Sequence, residues 1–260
     1  MKVFIGMETS GVARRAFADR GHEVISCDAL EAEDSNKASI VSLKPGVGIH
    51  VRGDVFATLE GLRRVNWWPD LALFHPTCTF LTNSAEWAYG DGPYHQKVKP
   101  GTLTGLARRE AREIAVSDFM RVVDLKIGRK AIENPIGVMS SRYRQPDQII
   151  QPNRFGDDAS KATCLWLFGL YPIAETCRVK PRLACRECLS SAGYGPDFRC
   201  LSCGASPSTF LERWENQTNS GQNRFSPTDD RWKDRSRSYP GVIAAMADQW
   251  GNDIQPMVFE

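Results

Sequence analysis

A chain of 260 residues can bury a full core as one large domain, or as one large and one small domain. With 42% hydrophobic and 25% charged residues it has the composition of an ordinary globular protein, and no apolar run approaches the ~20 residues a membrane span needs. A net charge of +2 excludes a polyanion footprint over the whole surface. Charge is uneven, however: residues 178–237 hold eleven Lys/Arg against seven Asp/Glu, a balance of +4 that leaves −2 for the rest and favours a polyanion at the C-terminal third.

Residues 2–5 predict a buried strand, leading from the start of the chain without a secretory signal, so a cytoplasmic protein is expected. The turn Gly6-Met7-Glu8-Thr9-Ser10-Gly11 and a helix over 12–20 follow, a strand–turn–helix start that presents backbone N–H groups to a cofactor or is simply a tight connection. A second strand over 22–27 closes at Asp28, where nucleotide-type cofactors have their ribose hydroxyls bound; Asp28 also suits a plain cap. Residues 31–39 are polar and read as a loop, and a short strand is expected over 48–51. Asp54 then either binds a cofactor or N-caps a helix over 55–64. The apolar run 69–74 is of strand length and ends abruptly in His75-Pro76-Thr77-Cys78, which delivers a thiol to the sheet's carboxyl edge and makes Cys78 the candidate nucleophile; alone, it would read as a small buried hydrophobe.

Residues 82–101 are too long and too polar for a simple connection, as lids are. A long helix over 103–126 follows, with Ala111, Ile114, Ala115, Phe119, Val122 and Val123 as its core stripe and Gly128 as its stop. The short strand 130–132 ends in Glu133-Asn134-Pro135, a carboxylate and an amide at the same edge as Cys78, and residues 162–167 predict another buried strand. From Pro172 apolar periodicity fades, and four of the chain's eight cysteines form Cys185-x2-Cys188-x11-Cys200-x2-Cys203. Two Cys-x-x-Cys pairs at this separation signal a tetrahedral structural zinc, disulfides being the alternative. A last helix over 242–250 closes the chain onto the first domain.

Together these pieces resemble the cytosine-C5 DNA methyltransferases, in the compact form common in bacteriophages, over residues 1–170 and again at about 236–250. Phe4-Ile5-Gly6 with Ser10-Gly11 looks like that family's first cofactor motif, Asp28 like its acidic residue after strand two, Gly53-Asp54-Val55 like the adenine-holding motif, Pro76-Thr77-Cys78 like the nucleophile motif and Glu133-Asn134-Pro135 like its Glu-Asn dipeptide. Pro240-Gly241 stands where the closing cofactor motif begins. The chain departs from the pattern in placing Thr77 between proline and cysteine, in Glu8 for a glycine, and in lacking a clear arginine-rich motif after Glu133-Asn134.

The resemblance implies a Rossmann-like, doubly wound α/β methyltransferase sheet over 1–171 and 236–260, with a small zinc-binding target-recognition insertion over 172–235. It implies S-adenosylmethionine as donor (Phe4, Gly6, Ser10, Gly11, Asp28, Asp54 and Pro76 binding it), DNA as partner, Cys78, Glu133 and Asn134 as catalytic residues, and a cytoplasmic monomer, in the host cytoplasm for a phage-encoded protein. The chemistry suits the residues independently: a thiolate adding to carbon 6 of cytosine turns carbon 5 into an enamine-like nucleophile, and a carboxyl at N3 drains the charge. His75 and His95 are secondary candidates. Two other readings remain: a pyrimidine-modifying enzyme acting on a free nucleotide or with another one-carbon donor, and an idle zinc-dependent DNA-binding protein, which would have no need of Cys78 and Glu133 at one edge.

Overall fold

The computed structural model describes residues 1–34, 48–83, 85–95, 97–206, 210–224 and 237–252. Most of the polar segment expected over 31–39 therefore lies outside the described residues, as do Ser236 and residues 253–260 of the closing segment. Two compact units result, one of residues 1–150, 162–173 and 246–260, the other of residues 151–161 and 174–245. No helix among the described residues is long and apolar enough to cross a membrane.

The larger unit is built on a seven-stranded sheet of order β3-β2-β1-β4-β5-β7-β6. Its strands are β1 (Lys2–Gly6), β2 (Glu23–Asp28), β3 (Ile49–Arg52), β4 (Leu71–Phe74), β5 (Lys130–Pro135), β6 (Gln148–Ile150) and β7 (Thr163–Phe168). The first five run parallel, and β7 is antiparallel to both its neighbours β5 and β6. Near-continuous apolar strands such as Val3-Phe4-Ile5 and Leu71-Ala72-Leu73-Phe74 are buried on both faces, as parallel strands flanked by helices must be. The order reverses at β1, from which the chain winds outward both ways, so the architecture is a Rossmann-like, doubly wound α/β sheet. Its carboxyl edge collects Gly6, Asp28, His75 and Glu133 from neighbouring strands.

Three helices match the expected periodicity: α1 (Val12–Ala18), α2 (Val55–Arg64) and α3 (Gly105–Asp124). The stripe of α3 is narrower than its composition suggests. Ala115, Phe119 and Val122 are buried, with Phe119 edge-on to the core ring of Trp166 at 5.1 Å, whereas Ile114 is 65% exposed because it lies about 100° round the helix from Ala115. Continued toward the N-terminus, the buried face carries Arg112 and Arg108 rather than apolar residues. The helix also ends at Asp124, before Gly128. The buried Lys130 ammonium, at the start of β5, takes the freed carbonyls of Val123 and Leu125 at 2.5 and 2.6 Å and lies over the Phe168 ring. A short helix α4 (Met139–Arg142) and strand β6 carry too few residues to show a period in the sequence.

In the smaller unit, β8 (Arg182–Cys185) and β9 (Phe210–Arg213) pair antiparallel. Asn216 exchanges two hydrogen bonds with the backbone of Ser160, both 3.0 Å. The closing helix α5 (Pro240–Gly251) crosses the boundary at residue 245, and the Asp157 carboxylate accepts from its Gly241 N–H at 3.0 Å, an N-terminal anchor.

Burial pushes the Lys130 ammonium down to about 8. The folded chain then gives up this proton before the unfolded chain does, so the stability contributed by Lys130 should rise with pH between about 8 and the usual 10.5. Urea unfolding across that window should show wild type gaining on Lys130→Met as pH rises; parallel pH profiles would contradict the assignment.

Candidate active site and candidate metal centre

Cys78 lies four residues past the end of β4, partly exposed, at the head of a turn whose Leu81 and Thr82 N–H groups both donate to its carbonyl at 3.0 Å. The end of β5 and the segment that follows it hold the turn on both flanks. Upstream, the buried Asn134 amide donates to the Pro76 carbonyl at 2.7 Å, and His75 Nδ1 is 2.9 Å from Glu133 Oε2. Downstream, the Val138 N–H donates to the Leu81 carbonyl at 2.8 Å beside a bridge between Thr82 and Gly137. That approach demands glycine at 137, because a Cβ there would stand 1.9 Å from the Leu81 oxygen. Cys78, Glu133 and Asn134 thus belong to one hydrogen-bonded edge.

Of the three cysteines in this unit, Cys27 and Cys164 are fully buried, and burial pushes both thiols up, that of Cys164 to about 11 with help from the Glu133 charge. Both are held as inert thiols, which leaves the partly exposed Cys78 as the sulfur a substrate could meet.

The residues expected to hold a cofactor ring the same edge in different ways. Phe4 is fully buried, its ring 5.9 Å from Phe74, and Pro76 is buried as well, so both shape the floor. Gly6 ends β1, and its carbonyl accepts from the His75 N–H at 3.0 Å. Gly11 takes φ +70°, a conformation that favours glycine, and leads into α1. The Ser10 hydroxyl donates to the Glu8 carboxylate. Asp28 Oδ1 accepts from the Leu30 N–H at 2.8 Å, and the exposed Asp54 N-caps α2 by accepting from Ala57 N–H at 2.8 Å. Glu8 is only 7% exposed, and its Oε2 has no partner among the described residues. A buried carboxylate with an unmatched oxygen suits a cationic ligand group, and S-adenosylmethionine carries two such groups, an ammonium and a sulfonium.

Sequence reasoning missed the fastening of the loop after Cys78. Arg112 lies over the Tyr89 ring with its guanidinium carbon 3.4 Å from the centroid, donates to the Phe80 carbonyl at 2.9 Å and pairs with Glu86. The nearly buried Arg108 lies over both Phe80 and Tyr89, and Arg109 donates to the Tyr89 carbonyl at 2.6 Å. The available signal was arginine at 108 and 112, in helical register with Ala115 and Phe119.

In the smaller unit the sulfurs of Cys185, Cys188, Cys200 and Cys203 all lie within 4.8 Å of one another. Cys185–Cys203 and Cys188–Cys200 are each 3.7 Å apart, close to the ~3.8 Å edge of a tetrahedron with ~2.3 Å zinc–sulfur bonds, and far beyond a disulfide's ~2.05 Å. The two knuckles repeat one backbone pattern. Leu189 N–H donates to the Cys185 carbonyl at 2.9 Å and Gly204 N–H to that of Cys200 at 2.8 Å, both donors at positive φ. Four such thiols could hold a zinc ion.

No family model matches this sequence, and no curated protein matches it. Among solved structures, it is similar to a DNA modification methyltransferase encoded within an E. coli prophage, at 13% identity and a TM-score of 0.40, over 64% of this chain and 46% of that one. It is also similar to a mutant of DNMT2 from Spodoptera frugiperda, at 15% identity and a TM-score of 0.37, over 68% of this chain and 53% of that one. The chain thus spans about half the length of each.

Asn134→Ala should leave the buried Pro76 carbonyl unpaired, costing about 1–3 kcal/mol in urea unfolding. Gly137→Ala should cost at least as much, because backbone and not a side chain must move. Wild-type stability in both variants would show that the two segments are not held together as described.

Proposed function

We propose that this protein is a DNA methyltransferase acting on carbon 5 of a cytosine turned out of the helix, through a covalent adduct with Cys78. The observation that carries the reading is the edge at which the turn bearing a partly exposed thiol is tied on its two flanks to Glu133, Asn134 and Val138, by one hydrogen bond each. An idle DNA-binding protein would have no use for that arrangement.

Carbon 6 of a stacked cytosine is out of reach of a side chain, so the base must be extruded, and the loop fastened by Arg108, Arg109 and Arg112 is the natural cover. The Cys78 thiolate adds to carbon 6 while Glu133 gives a proton to N3, which keeps negative charge from building on the ring. Asn134 keeps the Cys78 turn in register by holding Pro76. S-adenosylmethionine, when bound, supplies an electrophilic methyl group to carbon 5; Glu8, Asp28, Asp54 and the backbone around Gly6 and Gly11 are the residues that would hold it. Loss of the carbon 5 proton then breaks the sulfur–carbon bond and frees the thiolate. In the smaller unit, zinc on Cys185, Cys188, Cys200 and Cys203 would supply folding energy to a target-recognition module.

The carbon 5 proton must leave, and fluorine cannot leave as a cation. DNA carrying 5-fluorocytosine should therefore become covalently joined to the protein when S-adenosylmethionine is present, and survive denaturation as a heavier band. Cys78→Ser should abolish the band and Glu133→Gln should slow it on the order of 10²-fold or more, while Cys27→Ala and Cys164→Ala leave it. Trapping that persists in Cys78→Ser would refute the nucleophile.

Purified protein should carry about one zinc per chain. Chelation should melt the smaller unit while far-UV circular dichroism of the sheet unit persists. Metal-free folded protein, or disulfides among these four cysteines, would defeat the zinc assignment.

A further inference from the structure

His75 is the residue between β4 and the Pro76-Thr77-Cys78 turn. Its backbone N–H is fixed on the Gly6 carbonyl at 3.0 Å, and its ring Nδ1 meets Glu133 Oε2 at 2.9 Å. Both side chains are largely withdrawn from solvent, at 10% and 19% exposed, and His75 Nε2 is buried with no partner among the described residues. Nδ1 faces a carboxylate oxygen while Nε2 faces no acceptor among the described residues, so the geometry places a ring N–H on Nδ1, aimed at the carboxyl group.

We propose that His75 is a positioning residue for Glu133: its Nδ1–H holds Oε2 and so fixes the carboxyl group, and it stabilises the carboxylate that remains once the proton has gone to N3. The inference rests on the methyltransferase reading above and extends it to a residue outside the nucleophile and Glu-Asn motifs. In the step concerned the thiolate pair of Cys78 forms the sulfur–carbon 6 bond, the carbon 5–carbon 6 pair becomes carbon 4–carbon 5, and the N3–carbon 4 pair moves to N3, which takes the Glu133 proton. No electrons are gained or lost, and elimination returns the proton to Glu133. Among the described residues, the titratable group that faces Glu133 from the next strand is Cys164 on β7, with Cys78 farther along the His75 loop. The Cys164 thiol, pushed up to about 11, stays neutral through the working range.

Two variants separate positioning from mere packing. Removing the donor in His75→Leu should raise the pH at which Glu133 ionises, moving the alkaline limb of kcat for methyl transfer up by about one pH unit and lowering kcat at least tenfold, with KM for DNA little changed. His75→Asn, which offers an amide N–H in place of Nδ1–H, should return the limb to its wild-type position and restore most of the rate. An unmoved limb in His75→Leu, or an asparagine variant no better than leucine, would overturn the proposal. A second readout needs no substrate: ¹⁵N NMR of histidine-labelled protein should show a His75 Nδ1–H at neutral pH, and Glu133→Gln should shift that Nδ1 resonance. An Nε2–H tautomer, or a resonance indifferent to Glu133, would sink the idea even in an active enzyme. Protein that methylates no DNA while its His75 still responds to Glu133 would remove the reaction and leave the positioning contact standing.

Discussion

The hydrogen bond from the buried Asn134 amide to the Pro76 carbonyl is the contact on which the site depends. Proline has a fixed φ and no N–H, so Pro76 cannot anchor itself to β1 as His75 does through its backbone. Its carbonyl is its only polar handle, and it is spent on β5. A tie of this kind costs little when formed and much when left unmade, because the carbonyl is dry. It converts a loop after one strand and a dipeptide near the end of the next into a single rigid edge, with a sulfur on one side and a carboxyl on the other.

The same logic governs the long segment beyond Cys78. Its first half is fastened to α3 by arginines that stack on Tyr89 and Phe80 and donate to backbone carbonyls of the loop. Guanidinium groups suit the task because they offer five donors in a plane and a flat face for aromatic rings, so one side chain satisfies backbone oxygen and covers apolar surface together. Farther out, Trp87 meets Tyr94 and His95 edge-on at 5.6 and 5.8 Å, a small aromatic cluster.

The smaller unit solves a different problem. Its chain has little apolar periodicity, and its two strands are too short for a core of their own. Two cysteine knuckles with matching backbone bonds bring four sulfurs to the spacing a tetrahedral ion requires. Its order would then come from metal ligation.

How much of this was legible in the sequence follows from the range of each interaction. The strands β1, β2, β4 and β7, the helices α2 and α3, and the cluster of four cysteines are set by local rules: apolar runs of strand length, a helical period, and cysteines paired with two residues between them. These rules also place Cys78 and Glu133 at one sheet edge, because one follows β4 and the other lies near the carboxyl end of the neighbouring parallel strand β5. They leave open the roles of Asp54, which the fold uses as the cap of α2, and of Arg108 and Arg112, whose charge in a core register reads as solvated until Tyr89 is folded beneath them. Equally invisible were the early end of α3, decided by Lys130 from the next strand, and the His75 ring on Glu133, 58 positions away. Periodicity and spacing report what a residue does with its near neighbours along the chain, and so determined the elements and their order. Which buried donor meets which acceptor across the sheet is a matter of tertiary register, and only the folded structure decided it.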